Sequence, residues 1–211
     1  MLSLRKNFDY HALLGEKNPL LQFPKLKEAA IDEFSRKSFA EASLNEILKT
    51  AGMSKGSLYH HFGDKFGLYL AMLDLIVEKK LSYFYPLLQD GLDTSDFFDL
   101  LQKTMKATMD FMVADPRMHH LSNRLLEESV EFRNRLLSFY TPDYFQTFAA
   151  YVRQAVESGQ IDSRYPPEFV AQVVEIMLSS VHKLVRTGEP EELLETAAQV
   201  VDFIKYGISR R

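Results

Sequence analysis

The chain has 211 residues, 46% hydrophobic and 26% charged, the balance of a folded, water-facing protein with room for a sizeable core. It contains no Cys, which excludes a disulfide framework, a thiolate zinc site and a cysteine nucleophile. The formal charge of −4 does not by itself suggest a nucleic-acid partner, but residues 1–67 hold 10 Lys/Arg and 8 Asp/Glu against 15 and 21 in the remainder, so the excess acid lies away from the N-terminal segment.

Charged and polar residues interrupt the first ten positions, which therefore lack the apolar centre of a signal peptide. No run approaches the roughly 18 apolar residues of a spanning helix. These features predict a cytoplasmic chain with no membrane partner. Residues 1–23 read as an irregular N-terminal arm, with Gly15, Asn18 and Pro19 as breakers and Arg5, Lys6 and Lys17 as the cations that could reach a groove.

Helical periodicity begins at Pro24, a residue suited to a first helical turn, and places Leu26, Ala30, Ile31 and Phe34 on one face. Ser43-Leu44-Asn45-Glu46 has the form of a capping box and starts a second helix that stops at Gly52. A short third helix follows Ser54, and a fourth runs from about Asp64 to Tyr83. A second part begins near Pro86 with a helix over about 95–113. Asp115-Pro116 and Thr141-Pro142 each start another helix. Two long helices, about 166–187 and 190–207, close the chain. No period-2 strand is read anywhere, so the fold class is all-α.

The stretch Ser43–Leu68 carries the function. A helix, a tight turn at Ala51-Gly52-Met53 and a short second helix form a helix-turn-helix. The second helix of such a unit enters the DNA major groove, about 12 Å wide. Leu58 and Phe62, four residues apart, turn inward, which leaves Ser54, Lys55, Gly56, Ser57, Tyr59 and His60 outward. Small residues at 54, 56 and 57 permit close approach, and Lys55, Tyr59 and His60 supply a cation and hydrogen-bonding groups. Lys65 opposes the dipole of the fourth helix, and a nearby phosphate would give it a purpose.

In Ala30, Phe34, Phe39, Ser43, Ile47, Ala51-Gly52-Met53-Ser54, Gly56, Leu58-Tyr59-His60-His61-Phe62, Lys65 and Leu68 the chain resembles the tetracycline-repressor (TetR) family. The resemblance covers about residues 25–72. It implies a homodimer of nine- or ten-helix subunits that binds a palindromic operator in double-stranded DNA and is released by an effector. It also implies DNA contacts from Ser43, Ser54, Ser57, Tyr59, His60 and Lys65. Ser38 before Phe39, Leu48 after Ile47, and Phe66-Gly67 depart from the usual pattern. Gly67 inside a helix costs about 1 kcal/mol relative to Ala, so the fourth helix is expected to start loosely.

The expected organisation is an arm (1–23), a helix-turn-helix domain (24–70), and an effector-binding and dimerisation domain (71–211) whose last two helices pair with their symmetry mates. Met105, Met109 and Met112, with Tyr144, Phe148 and Tyr151, are the candidates for lining a cavity for a small apolar or aromatic effector. Ordinary core packing is the favoured reading for any one of them, and a cavity lining for some of the set together. His60-His61 and His119-His120 point about 100° apart on a helix, so no metal site is read. No phosphate loop, nucleophile elbow or metal-ligand spacing marks an enzyme, and no cofactor is expected. The residues also fit an activator, or a DNA-bound interaction protein without effector, like a nucleoid-occlusion factor. A ligand carrier with a decayed DNA surface is opposed by the intact SKGSLYHHF segment.

Overall fold

The computed structural model describes residues 8–89, 96–140, 143–186 and 190–208. Ten α-helices and four short 3-10 segments account for most of them, with no strand among the described residues. The all-α expectation holds, because the apolar residues recur with the helical period throughout.

Helix α1 (Pro24–Arg36) buries Leu26, Ala30, Ile31 and Phe34. Glu33 shares that buried side, with 7% of its surface exposed. Its Oε1 accepts from Lys37 Nζ at 2.7 Å and from the Ser43 backbone N–H at 2.8 Å. Ser43 is the N-cap of α2 (Leu44–Ala51), and its hydroxyl accepts from the Glu46 N–H. Only half of the expected capping box is therefore local. The carboxylate that pairs with the Ser43 N–H comes from α1, because buried Glu33 needs donors while exposed Glu46 has water. Gly52 ends α2 in the left-handed conformation at φ 67°, and the Met53 N–H closes back onto the Leu48 carbonyl. Helix α3 (Lys55–Phe62) follows, then α4 (Lys65–Gln89), which runs past Tyr83 and through Pro86.

The chain forms two compact units. One comprises the described residues up to Leu81 together with Asp115–Tyr140, which adds α6 (Pro116–Glu127) and α7 (Val130–Leu137) to the helix-turn-helix. Its core includes Phe34, Ile47, Leu58, Phe62, Leu68, Tyr69 and Met72. Helix α6 lies against α1. Arg117, near its start, donates to Asp32 at 2.8 Å, Glu28 at 2.9 Å and Asp115 at 2.7 Å. Residues 8–23 are not irregular: they form 3-10 turns at Tyr10–Leu13, Gly15–Lys17 and Pro19–Gln22, with Leu13 and Leu20 buried. Turns of three or four residues have no 3.6-residue period for a sequence pattern to reveal. Lys17 is exposed on the second turn. Arg5 and Lys6 lie outside the described residues.

The second unit comprises Ser82–Ala114 and the described residues from 143 onward. It holds α5 (Phe97–Ala114), α8 (Asp143–Glu157), α9 (Pro167–Ser179) and α10 (Pro190–Ile208). Helix α5 packs on α10 and α8 on α9, around a core that includes Phe98, Leu101, Val152, Ile161, Val174, Ala197 and Val201. Helix α9 ends at Ser179 rather than near 187. Ser180 adopts φ −100° and ψ 2°, and the following 3-10 turn carries Val181 into the core.

Hydrogen bonds to an ionised acceptor are worth about 1.5–3 kcal/mol. Glu33→Gln is expected to lower stability at pH 7 by about that amount. Burial resists ionisation of Glu33, but the Lys37 and Ser43 hydrogen bonds outweigh it and hold its pKa below the usual carboxylate value. Its contribution is therefore present above the unfolded-state pKa of about 4.3 and lost as pH falls through the lower folded value. Urea unfolding of both proteins should show the gap between them closing below about pH 4.

Candidate nucleic-acid interface

Ser54 caps α3 by accepting the Ser57 N–H at 3.1 Å. This fixes the start of the helix, and burial of Leu58 and Phe62, both 0% exposed, fixes its rotation. The expected outward face follows: Ser54, Lys55, Gly56 and His60 are exposed, Ser57 is half-buried, and Tyr59 is 47% exposed. Lys55 Nζ lies 5.9 Å from the Tyr59 ring centroid, so a cation and an aromatic hydroxyl occupy one patch. A Cβ added to Gly56 would meet only the Ser54 Oγ, at 4.0 Å. Nothing inside the protein requires a glycine there. Ser43 is half-buried at the start of α2, with its hydroxyl oxygen engaged as the cap.

Lys65 stands apart from that patch. Its Nζ donates to the Ala42 carbonyl at 3.0 Å and the Ala40 carbonyl at 3.2 Å, and lies 4.7 Å from the Phe39 ring centroid. Burial pushes its pKa down, against the pull of Glu128 and Glu33. The cation at the start of α4 thus has a purpose within the fold: it ties down the α1–α2 connection.

Residues 26–72 match the family model described as bacterial regulatory proteins, tetR family. The helix-turn-helix is of the TetR family. At full length, the chain is 24% identical over 185 residues to the uncharacterized HTH-type transcriptional regulator YdgC of Bacillus subtilis, an alignment covering 87% of this chain and 91% of YdgC. A TetR-family regulator from Chloroflexus aurantiacus shares the fold with a TM-score of 0.67 at 24% identity, over 92% of this chain and 95% of that one. FadR from Bacillus subtilis, solved with stearoyl-CoA, shares it with a TM-score of 0.68 at 14% identity, over 88% and 99%. The TetR-family match is confined to the helix-turn-helix segment, and the relatives that align with the rest of the chain are described as transcriptional regulators. No helix among the described residues is long and apolar enough to cross a membrane, and no cluster that could hold a metal occurs among them.

Outside the TetR-family segment, Met105 and Met109 are buried in the core of the second unit, and Met112 and Phe148 pack against it. Tyr151 is half-buried, and burial raises its pKa. The side chain of Tyr144 lies outside the described residues. A separate open groove of about 450 Å³ in this unit is lined by Met177, Leu184, Thr196, Gln199, Val200 and Phe203. The sequence reading did not assign Glu33, Tyr10 or Arg117. Glu33 carried a signal, a carboxylate within the apolar face of the first helix. The partner of Tyr10, and those of Arg117 on α1, are distant in sequence and left none.

Gly67, the expected weak point of α4, has a packing role. A Cβ there would lie 1.8 Å from the Phe62 carbonyl oxygen. Helix propensity alone predicts that Gly67→Ala stabilises by about 1 kcal/mol, whereas the collision predicts a loss of about 1–3 kcal/mol. Thermal unfolding should find the variant less stable.

Proposed function

We propose that this chain is a homodimeric repressor that holds a palindromic operator with two copies of α3 and lets go when a small apolar or aromatic effector enters the second unit. Gly56 carries the DNA reading. A helical glycine is destabilising by up to about 1 kcal/mol, and no neighbour inside the fold needs the missing side chain. Close approach of a DNA backbone does need it. Around it, Ser54, Lys55, Tyr59 and His60 offer donors and one positive charge to phosphates and base edges. Ser43 and Ser57 flank the patch, and Lys65 reaches a phosphate only with the donor its two carbonyls leave over.

The dimer reading draws on α9 and α10. Ile176, Phe203 and Tyr206 are 64%, 71% and 78% exposed beside the apolar groove. An apolar face of this kind suits an isologous pairing with a second copy. The effector reading draws on Met105, Met109, Met112, Phe148 and Tyr151, with Tyr144 on the same helix as the last two. Methionines repack readily around an apolar guest. FadR, of the same fold, was solved with stearoyl-CoA, which makes a long apolar chain a sensible first ligand to try. Effector and operator would bias one equilibrium through α4, each weakening the other by the same factor.

Selection from a pool of random duplexes tests the DNA reading. The wild-type chain should enrich an inverted repeat with half-sites about 34–36 Å apart or a similar one-turn spacing, and Tyr59→Ala should not. Gly56→Ala should bind the enriched site at least about tenfold more weakly while melting no lower than wild type. Stronger or equal binding by Gly56→Ala would refute the close-approach argument. For the dimer, sedimentation of Phe203→Glu should show dissociation into monomers at concentrations where the wild type stays paired.

A further inference from the structure

We propose that the N-terminal strap, residues 8–23, is a positioning element for the recognition helix, acting through Phe8 and Tyr10 on the turn that joins α3 to α4. The inference rests on the reading of α3 as the operator-reading helix.

The turn consists of Gly63 and Asp64. Gly63 has φ +76°, and a Cβ placed on it would come within 2.6 Å of the Phe8 ring. The Phe8 side chain therefore lies directly against the residue that closes α3. Tyr10 Oη donates to Asp64 Oδ2 at 2.7 Å. The other carboxylate oxygen, Oδ1, accepts the Gly67 N–H at 2.9 Å, so one side chain both caps α4 and anchors the strap. The far end of the strap returns to the same helix: the Phe23 ring centroid is 5.0 Å from His61 and 6.2 Å from Phe62. The last turn of α3 is thus held from two sides by residues that precede α1.

The strap is itself fixed. Asn18, 2% exposed, donates through Nδ2 to the Ala71 carbonyl at 2.8 Å and to Asp74 at 3.0 Å. The Gly15 N–H donates to the same Asp74 oxygen at 2.9 Å. Leu13 and Leu20 fill the space beneath. Tyr10 and His11 also meet Phe139, just beyond α7, at centroid distances of 6.1 and 5.0 Å. Arg135 of α7 lies 3.5 Å from the Phe66 ring centroid and 5.8 Å from that of Tyr10. The brace on the recognition helix is thereby shared with α7. A rotation of α7 would reach α3 through the strap as well as through α4.

Base-edge contacts demand accurate placement, to within about 0.5 Å and 10–20°, whereas phosphate contacts tolerate a wider range of poses. Loosening the brace should therefore cut sequence preference more than affinity for DNA in general. The test uses the full chain, the inverted repeat that the wild type selects, and a scrambled duplex of equal length and composition. Tyr10→Phe keeps the ring and removes the hydroxyl that bonds Asp64 and meets Arg135. It should bind the selected repeat about tenfold more weakly, bind the scrambled duplex within about twofold of wild type, and melt no more than about 12 °C below it. Asp64→Asn preserves the α4 cap. Combined with Tyr10→Phe it should be no worse on the selected repeat than the more severe single change. Equal weakening on both duplexes, additive losses in the double variant, or unchanged preference in Tyr10→Phe would overturn the inference while leaving operator binding intact. A wild type that selects no repeat would overturn the operator reading, and this inference with it.

Discussion

The first unit is organised around a side chain that is not there. The Phe62 carbonyl oxygen occupies the space that a Cβ on residue 67 would need. Only glycine lets the last turn of α3 come so close to the first turn of α4. That approach makes the two-residue link short, and the short link sets the rest. Asp64 falls where it caps α4, and Lys65 falls where its ammonium reaches back to the carbonyls of residues 40 and 42. Phe66 then enters an aromatic cluster with Phe39, Tyr69, Phe132 and Phe139. Helix propensity is given up at one position and recovered as packing at several.

Polar groups inside this unit follow the same logic. Glu33 and Asp74 are nearly buried, and each accepts hydrogen bonds from a distant part of the chain: Ser43 for the first, Gly15 and Asn18 for the second. Glu128 Oε1 accepts the Phe39 N–H at 2.5 Å. Each carboxylate satisfies a backbone donor that secondary structure leaves free. The α1–α2 connection and the N-terminal strap are therefore pinned by charge-assisted bonds as well as by the core.

Much of this was legible in the sequence. Pro24, the Ser43 and Ser54 caps, Gly52 and Asp115-Pro116 mark helix ends by local chemistry, and they stand where that chemistry puts them. Leu58 and Phe62 show from the sequence which face of α3 turns inward. What was hidden depends on partners far along the chain or on short structure. The 3-10 turns of residues 8–23 lack a period, and the link from Glu33 to Ser43 crosses ten residues. The end of α9 at Ser180 is a small change of dihedral angle inside an unbroken apolar pattern. Methionine and aromatic composition does not separate cavity from core, and Met105 and Met109 lie in the core.

Arg117 gives the molecule a sensitivity of a different kind. It gathers Asp32, Glu28 and Asp115 around one guanidinium whose side chain is 31% exposed, so ions in solution reach the cluster. Added electrolyte screens such pairs over about 8–10 Å at ordinary concentrations, and this cluster joins α6 to α1. The same electrolyte displaces cations from around phosphates. Under the proposed operator reading, ionic strength acts on this protein twice, once at the surface of α3 and once at the joint between α1 and α6. On that reading a plot of affinity against salt sums the two, and its slope overstates the number of phosphates held.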